Sequence, residues 1–197
     1  NETEISGDIQ ESDPGAGFIK NGHGTLTLSG ANTFSGGIAL EEGTLAIGND
    51  RALGTGPLIL KGGKVETSGG DRELANNVKL AGSVGISGGI TFTGDVTLEQ
   101  LATLEVAGTT TLSGLLKEEK PGTGLVKKGN GTLVLEGANT ISGGVNIEEG
   151  TLSVNNLGGS ATGSGPVEIG GKATLSGTGI IAGNLSLAAG AILNPGA

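Results

Sequence analysis

The sequence predicts an all-β solenoid, a rod in which short coils stack on one another along a single axis. At nine positions a small residue stands two places ahead of an apolar residue, and in eight of them that small residue is glycine. The successive intervals are 19, 20, 19, 20, 29, 19, 21 and 19 residues. A period near twenty, with glycine turns between short β-type segments, is typical of a solenoid. The nine positions are Gly24, Gly43, Gly63, Gly82, Ala102, Gly131, Gly150, Gly171 and Gly190.

A column of aliphatic residues, one from each coil, indicates the first wall of the rod. Side chains alternate between the two faces of a strand, so the residues between these positions should face solvent. We expect one strand of each coil on this wall. The predicted inward ladder is Leu26, Leu45, Val65, Val84, Leu104, Leu133, Leu152 and Ile192, with Ala173 before the last position.

Apolar residues elsewhere in the period predict two further walls. Alternating pairs form the second wall: Ile38 and Leu40, Leu58 and Leu60, Val78 and Leu80, Val96 and Leu98, Val145 and Ile147, Val167 and Ile169, and Leu185 and Leu187. A less regular set forms the third wall: Phe34, Leu53, Leu74, Ile90, Ile141 and Ile180. Together the walls predict one three-sided solenoid over residues 1–197, with about nine coils of roughly 20 residues.

The composition restricts the classes of function open to the chain. Its 20 acidic and 11 basic side chains give a formal charge of −9, which argues against a nucleic-acid partner. No apolar run reaches the length of about 18 residues that a membrane-spanning helix needs, so no direct membrane insertion is expected. Cysteine is absent, which excludes disulfides and thiolate metal sites. Methionine and a signal peptide are absent too, so we expect a processed form or an excerpt of a longer product.

A long internal duplication underlies the shorter period. Residues 17–45 align with residues 124–152 at an offset of 107, and 19 of the 29 positions are identical. With the flanking coils, the duplication covers residues 5–64 and 112–172 at offsets of 107 to 109. The sequence GTLTLSGANTFSGG in the first copy becomes GTLVLEGANTISGG in the second.

A loop-like insertion precedes each copy, at residues 11–17 and 117–124, and the second one accounts for the 29-residue interval. Each insertion contains Pro-Gly, which marks a turn outside the ladder. Loops of this kind are where solenoids commonly carry binding sites. The candidate ligand or partner residues are Glu11, Asp13 and Pro14 in the first loop, and Lys117, Glu118, Glu119, Lys120 and Pro121 in the second.

The duplicated segments resemble the autotransporter-associated β-strand repeat, also called the passenger-associated transport repeat. Its pattern resembles K-x-G-x-G-T-L-x-L-x-G-x-N-T-[YF]-x-G-G followed by G-T-L, and it occurs here from Lys20 and again from Lys127. The resemblance implies a right-handed parallel β-helix, exported and displayed on a bacterial cell surface or released from it. The second copy departs from the pattern at Ile141, where the first copy has the aromatic Phe34.

Catalysis is not expected, although parallel β-helices include polysaccharide-active enzymes. Such sites need clustered carboxylates, or carboxylates with Arg or Lys, on one outward face. The one charged cluster with coil spacing, Asp50-Arg51 with Asp71-Arg72, is explained by a surface salt-bridge ladder. His23 is the sole histidine, and Asn130 replaces it in the second copy. We therefore predict no enzyme and no cofactor, with a polysaccharide-active enzyme as the remote alternative.

Three other ligand classes find little support in the residues. Tryptophan and tyrosine, the usual platforms for sugars, are absent. Ice binding would need a ladder of Thr-x-Thr, whereas Thr25-x-Thr27 is followed by Thr44-x-Ala46 and then by Lys64-x-Glu66. A calcium site could use Glu41 with Glu42, or Glu148 with Glu149, but these pairs are explained by solvated corners. No metal site is predicted.

The ends of the rod suggest a function, because no amphipathic segment is available to cap them. The candidate end-stacking residues are Ile5, Ile9, Ile192 and Leu193. Either further β-helix repeats of a longer chain or identical chains stacked end to end should cover these apolar groups. The sequence thus predicts a non-enzymatic structural scaffold of the cell surface or the extracellular space, a stalk or fibre subunit. The alternative is an adhesin that binds a surface ligand through the two loops.

Overall fold

The computed structural model describes residues 1–196, which form 21 strands and no helix. Consequently, none of these residues belongs to a helix that could cross a membrane. The strands are β1 (Glu2–Ile5), β2 (Gly17–Lys20), β3 (Thr25–Leu28), β4 (Gly37–Leu40), β5 (Thr44–Ile47), β6 (Leu58–Leu60), β7 (Lys64–Thr67), β8 (Arg72–Leu74), β9 (Val78–Leu80), β10 (Ser83–Ser87), β11 (Gly89–Phe92), β12 (Val96–Leu98), β13 (Ala102–Val106), β14 (Thr109–Leu112), β15 (Leu116–Glu118), β16 (Leu125–Lys128), β17 (Thr132–Leu135), β18 (Val145–Val154), β19 (Val167–Gly177), β20 (Leu185–Leu187) and β21 (Ile192–Pro195).

Every strand pairs in parallel with its neighbours in the coils below and above, and the pairs build three walls. Wall A contains β1, β3, β5, β7, β10, β13, β16, the first parts of β18 and β19, and β20. Wall B contains β2, β4, β6, β9, β12 and β15. Wall C contains β8, β11, β14, β17, the second parts of β18 and β19, and β21. The all-β parallel solenoid predicted from the sequence is confirmed.

The rod has about ten coils, one more than the nine predicted, because β1 forms a further coil below β3. In addition, the 29-residue interval was misinterpreted. Residues 102–131 do not form one coil with a loop insertion. Instead β16 continues wall A, and the next strand, β17, starts on wall C. The interval therefore contains one extra strand, and the chain advances by one wall.

The predicted inward ladder is therefore divided between two walls. On wall A, Leu26, Leu45 and Val65 are in register, but the next residue above Val65 is Ile86 and not Val84. Val84 begins a neighbouring inward column, in which it pairs with Leu104.

The upper half of the predicted ladder belongs to wall C. There Leu133 pairs with Leu152, which is followed by Leu175 and Leu193. Ala173 and Ile192 were wrongly assigned to this column. Ile192 pairs with Thr174, at a position that faces outward.

The two copies of the duplication occupy different walls. The first copy runs through β2 to β5 on walls B and A, and the second runs through β16 to β18 on walls A and C. An offset of 107 residues corresponds to about five coils and a further third of a coil at a period near twenty. The second copy is consequently rotated by one wall about the axis of the rod.

Stacked aliphatic side chains fill the interior from one end of the rod to the other. Two rings contribute, Phe34 and Phe92, each 2% exposed, and Phe34 lies 5.5 Å from the ring of Phe18. In the lower coils, the side of the rod that lies directly below wall C has no regular strands. In the upper coils, the side directly above wall B has none. The irregular stretches include Phe34, Leu53 and Ile141, which are buried as predicted for a third wall, whereas Ile180 is 50% exposed.

Replacing Leu133 by alanine should lower the free energy of unfolding by about 2–5 kcal/mol, because a fully buried side chain leaves a cavity in its column. The matched variant Leu26→Ala, at the equivalent place in the first copy, should lose less, because Leu26 is only partly buried. Urea unfolding followed by circular dichroism measures both values. Equal losses would contradict the place of Leu133 in a continuous interior column.

Candidate functional site

The first predicted loop is held in shape by Glu11. Its Oε2 accepts hydrogen bonds from the backbone amides of Gly15 at 3.1 Å and Ala16 at 2.9 Å. The amide of Gly15 also donates to the hydroxyl of Ser35 in the next coil, at 2.9 Å. Hydrogen bonds from Ser35, and then from these amides, hold the pKa of Glu11 below its usual value. Glu11 therefore stabilises the loop from within, while Asp13 and Pro14 are exposed at its tip.

The second loop has the same construction around Glu118, which lies 107 residues after Glu11. Oε2 of Glu118 accepts the amide of Thr123 at 2.9 Å, and Oε1 accepts the hydroxyl of Ser142 at 2.6 Å. Burial raises the pKa of Glu118, but the hydrogen bonds from Ser142 and from the amides outweigh it and leave the pKa below its usual value. The exposed residues of this loop are Glu119, Lys120, Pro121 and Gly122.

Lys117 and Glu118 were predicted to lie in the loop, but both belong to strand β15. Lys117 instead forms an ion pair on the outer face of wall B, with its Nζ 2.8 Å from Oδ2 of Asp95. That contact lowers the pKa of Asp95, through the hydrogen bond from Lys117 first of all. The loop proper is thus shorter than residues 117–124.

The two loops do not come together. The first precedes β2 on wall B, whereas the second precedes β16 on wall A. They lie at different corners of the rod and about five coils apart. A single site built from both loops is therefore not present.

The described ends of the rod expose some of the predicted stacking residues. Ile5 is 38% exposed at the lower end, and Ile9 is partly buried against the core. At the upper end the inward-facing Leu193 is 51% exposed. Leu185 and Leu187 were predicted as interior wall residues and not as end residues, but they stand above the buried Val167 and Ile169 and are 39% and 44% exposed.

The charged cluster with coil spacing is not a salt-bridge ladder. Within residues 1–196 neither Arg51 nor Arg72 forms an ion pair. The guanidinium of Arg72 donates to three backbone carbonyls, those of Ile47, Ser68 and Asp71. It therefore serves as a cap for the corner between walls A and C.

The remaining candidates for chemistry are dispersed on the surface. The side chain of His23 is 95% exposed, with Nδ1 3.9 Å from Oε2 of Glu42. Glu41 pairs with Lys61 at 3.0 Å, and Glu148 pairs with Lys128 at 3.1 Å. Among the described residues no group of three or more His, Cys, Asp or Glu side chains could hold a metal ion.

A buried lysine in each copy escaped the sequence analysis. Nζ of Lys20 donates to the carbonyl oxygens of Asn21, Gly22 and Glu42, at 3.3, 2.6 and 3.0 Å. Lys127 makes the same three contacts in the second copy, at 3.1, 2.7 and 3.0 Å. Two of the carbonyls belong to the same corner as the lysine, and the third belongs to the next coil. Each ammonium group therefore fastens two successive coils together.

These lysines lie at inward positions of their strands, where an aliphatic residue is expected. Lys127 stands between Leu104 and Ile147 on wall A and is fully buried. The corner above it requires glycine, because Gly150 has a φ of +74° and a Cβ there would lie 2.7 Å from Nζ of Lys127. The signal was present in the sequence as the constant spacing between the lysine and the Glu-Glu-Gly turn.

A buried asparagine also links the coils of each copy. Oδ1 of Asn32 accepts the amide of Ile9 in the coil below at 2.7 Å, and its Nδ2 donates to the carbonyl of Ala52 in the coil above at 2.6 Å. Asn139 makes the equivalent pair of bonds at 2.7 and 2.6 Å. Since a buried amide without partners would be costly, these bonds fix the third side of the rod.

Comparison with known families locates a repeat in both fastened segments. Residues 18–47 and residues 125–154 each match the passenger-associated-transport-repeat family. The chain carries two passenger-associated transport repeats. Each passenger repeat spans one coil and a half and includes the buried lysine, the buried asparagine and the Glu-Glu-Gly turn. The two matches cover less than a third of the chain.

A curated relative supports the same assignment. A segment of 53 residues is 47% identical to the adhesin BmaC autotransporter of Brucella suis biovar 1 (strain 1330). The matched segment covers 26% of this chain and 2% of that protein. The chain thus spans a small fraction of the length of this relative. No solved structure matches the chain. The passenger repeats and the relative identify a bacterial cell-surface or secreted protein.

Raising the pH from about 8 towards 10 should increase the free energy of unfolding. Burial lowers the pKa of Lys127 from 10.5 to about 8 in the folded chain, and Glu149 partly opposes this shift. Between the two values the unfolded chain binds the extra proton, so stability rises with pH in this window.

The variant Lys127→Met should remove this rise. The control variant Lys128→Met should keep it, because the side chain of Lys128 is 46% exposed and pairs only with Glu148 at the surface. Urea unfolding at pH values between about 7 and 9.5 measures the slope. A slope that survives in Lys127→Met would show that another group causes it.

Proposed function

We propose that this chain is a non-enzymatic scaffold segment of a bacterial surface protein, a stalk that carries other parts of the protein away from the cell. The observation that supports this most strongly is the unbroken parallel pairing from β1 to β21. In such a stack each coil is positioned by hydrogen bonds to its two neighbours, so the direction of the rod is maintained from one coil to the next.

The use of polar side chains in the structure supports the same proposal. Lys61 pairs with Glu41 and Lys79 with Glu99, in each case across two successive coils. Exposed pairs of this kind add little stability individually, but they occupy groups that a catalytic site would need to keep free. The buried lysines and asparagines likewise bind only the protein backbone.

The alternative function is adhesion through the loop tips, which similarity to an adhesin favours. Glu11 and Glu118 are occupied by hydrogen bonds within their loops. The tips therefore present Asp13 and Pro14 in one loop, and Glu119, Lys120 and Pro121 in the other. Both tips are exposed and sit on a rigid support, as binding loops commonly do. This alternative requires each loop to work independently, since they lie at different corners.

We also propose that further β-helical coils of a longer passenger cover the two ends of the rod. The last described coil leaves the inward-facing side chains of Leu185, Leu187 and Leu193 exposed, and the first leaves Ile5 exposed. Parallel strand edges at both ends can continue the same ladder without any change of direction. A second copy of the chain can occupy the same surface at high concentration.

If the ends are stacking surfaces, the isolated chain should associate end to end as its concentration rises. Sedimentation velocity measures the distribution of species. The double variant Leu187→Lys and Leu193→Lys should remain monomeric, because charged side chains would have to be buried in the contact. The control Leu157→Lys changes a leucine that is fully exposed on the side of the rod, and it should associate like the unchanged chain. A monomeric unchanged chain would refute stacking.

Display of the chain on a bacterial surface separates the scaffold from the adhesin. The scaffold predicts that bacteria bearing the chain adhere to an epithelial cell monolayer no better than bacteria without it. Gained adherence that disappears when Asp13, Pro14, Glu119 and Lys120 are changed to alanine would support the adhesin instead. The control Glu136→Ala alters an exposed residue outside both loops, and circular dichroism verifies that each variant keeps the rod.

A further inference from the structure

Wall C has an outer face that consists of hydroxyl-bearing side chains in register over four successive coils. One column contains threonine at every position, and the second contains threonine, valine, serine and serine. The first column is Thr109, Thr132, Thr151 and Thr174. The second is Thr111, Val134, Ser153 and Ser176, with Thr91 one coil below. We call these residues the hydroxyl face.

The sequence analysis missed this face because it assigned β17 to the wall of β3. With that register, the Thr-x-Thr ladder that was considered started at Thr25 and Thr27. It ends within two coils, at Lys64 and Glu66. The rotation of the second copy by one wall places Thr132 above Thr109 instead. The array is therefore longer than the sequence indicated and lies on a different side.

The hydroxyl groups of this face are available to a ligand. In residues 1–196 the first-column threonines have no side-chain hydrogen bond to the protein, and Ser176 makes only a long contact of 3.5 Å with the carbonyl of Leu152. The inward neighbours Leu133, Leu152 and Leu175 are at most 3% exposed, so the strands beneath the face are firmly packed.

The hydroxyl face also differs from the other two walls in charge. Although the chain has a formal charge of −9, the two hydroxyl columns contain no charged side chain. The nearest outward charges on β18 and β19, Glu149 and Lys172, pair with each other at 3.6 Å beside the columns. By contrast, the outer face of wall B carries Lys79 and Lys117, and that of wall A carries Lys64 and Glu66. The two columns themselves therefore offer no charge to attract a strongly charged partner.

The geometry points to a binding surface for ice, a ligand whose own hydrogen-bonding groups repeat on a lattice. Coils repeat at about 4.8 Å along the axis, and outward residues two apart on a strand are about 6.6 Å apart. The hydroxyl-bearing positions thus repeat on a roughly rectangular grid. Threonine in a strand has a stiff χ1, so each hydroxyl and methyl group is fixed before contact and little entropy is lost on binding.

A lattice of water fits this face better than a polysaccharide. The face has no aromatic ring on which a sugar could stack, since the chain has only three phenylalanines and no tyrosine or tryptophan. Methyl and hydroxyl groups alternate on this face. The hydroxyl groups can form hydrogen bonds with ordered water, and that water can bridge the apolar gaps between them. Val134 lacks a hydroxyl, so one point of the grid is missing.

The test is inhibition of ice recrystallisation in a frozen sucrose solution, together with the shape of single ice crystals grown in the presence of the protein. The unchanged chain should keep the ice grains small and facet the crystals. The double variant Thr132→Lys and Thr151→Lys should lose both effects at every concentration at which the unchanged chain acts. Bulky charged side chains at the centre of the grid would hold the ice lattice away.

The duplication supplies a matched control. Thr25 and Thr44 occupy the equivalent positions of the first copy, but they lie on wall A and outside the hydroxyl face. The variant Thr25→Lys and Thr44→Lys introduces the same charges in the same local structure and should retain full activity. Circular dichroism and thermal unfolding verify that both variants keep the fold.

Three results would overturn the inference. They are an inactive unchanged chain, equal losses in the two double variants, and binding to microcrystalline cellulose without any effect on ice. The inference does not depend on the scaffold function, because a stalk without affinity for ice would still pass the adherence and sedimentation tests.

Discussion

Register between successive coils is the constraint on which the rest of this structure depends. In a parallel stack each residue lies above its partner in the coil below, so one shift changes every column that follows. At the extra strand β16 the column of Leu104 continues into Lys127, while Leu133 joins Thr110 on another wall. The interior nevertheless remains filled, because aliphatic residues stand at inward positions on all three walls. The stack tolerates the change since each corner is closed locally.

Corner closure is the task of the polar residues inside the rod. An aliphatic stack by itself has no preferred length of turn, whereas an ammonium group that binds three carbonyls fixes both the corner and the distance to the next coil. Lys20, Lys127 and Arg72 act in this way at three places, and Asn32 and Asn139 bridge successive coils on the irregular side. Thr110 is different, because its buried hydroxyl has no partner and nothing in the structure explains it.

Much of the fold follows from the sequence, because the period of glycine and aliphatic residues reports directly on stacked strands. The lower pairs of the predicted second wall, such as Ile38 with Leu58, were predicted correctly and form wall B. Its upper pairs, Val145 with Ile147, Val167 with Ile169 and Leu185 with Leu187, lie on wall A instead. The largest error came from one ambiguous interval, and smaller register shifts misplaced Val84 and Ala173. Nine extra residues can be a loop or a strand with its corner, and periodicity alone does not distinguish them. This choice determined the wall to which Leu133 and the later residues were assigned.

The candidate sites were harder to predict, for a physical reason. Charged residues such as Glu11 and Glu118 were selected as ligand groups because their type suits that role, but hydrogen bonds to loop amides consume them. Whether a polar side chain is free depends on backbone atoms that are distant in sequence. The lysines were overlooked for the complementary reason, since a charge at an inward position is identified only when its carbonyl partners are known.

The rotation between the two passenger repeats also bears on how such rods grow. A duplicated unit normally has to contain a whole number of turns, or its side chains would emerge on the wrong side. Here the duplicated unit contains about five coils and a third and still folds. It does so because the lysine and asparagine contacts of each passenger repeat are complete within a coil and a half. Additions that advance the chain by whole walls, as here, then leave the stack intact. Each such addition turns the exposed side chains of the repeat to another side of the rod.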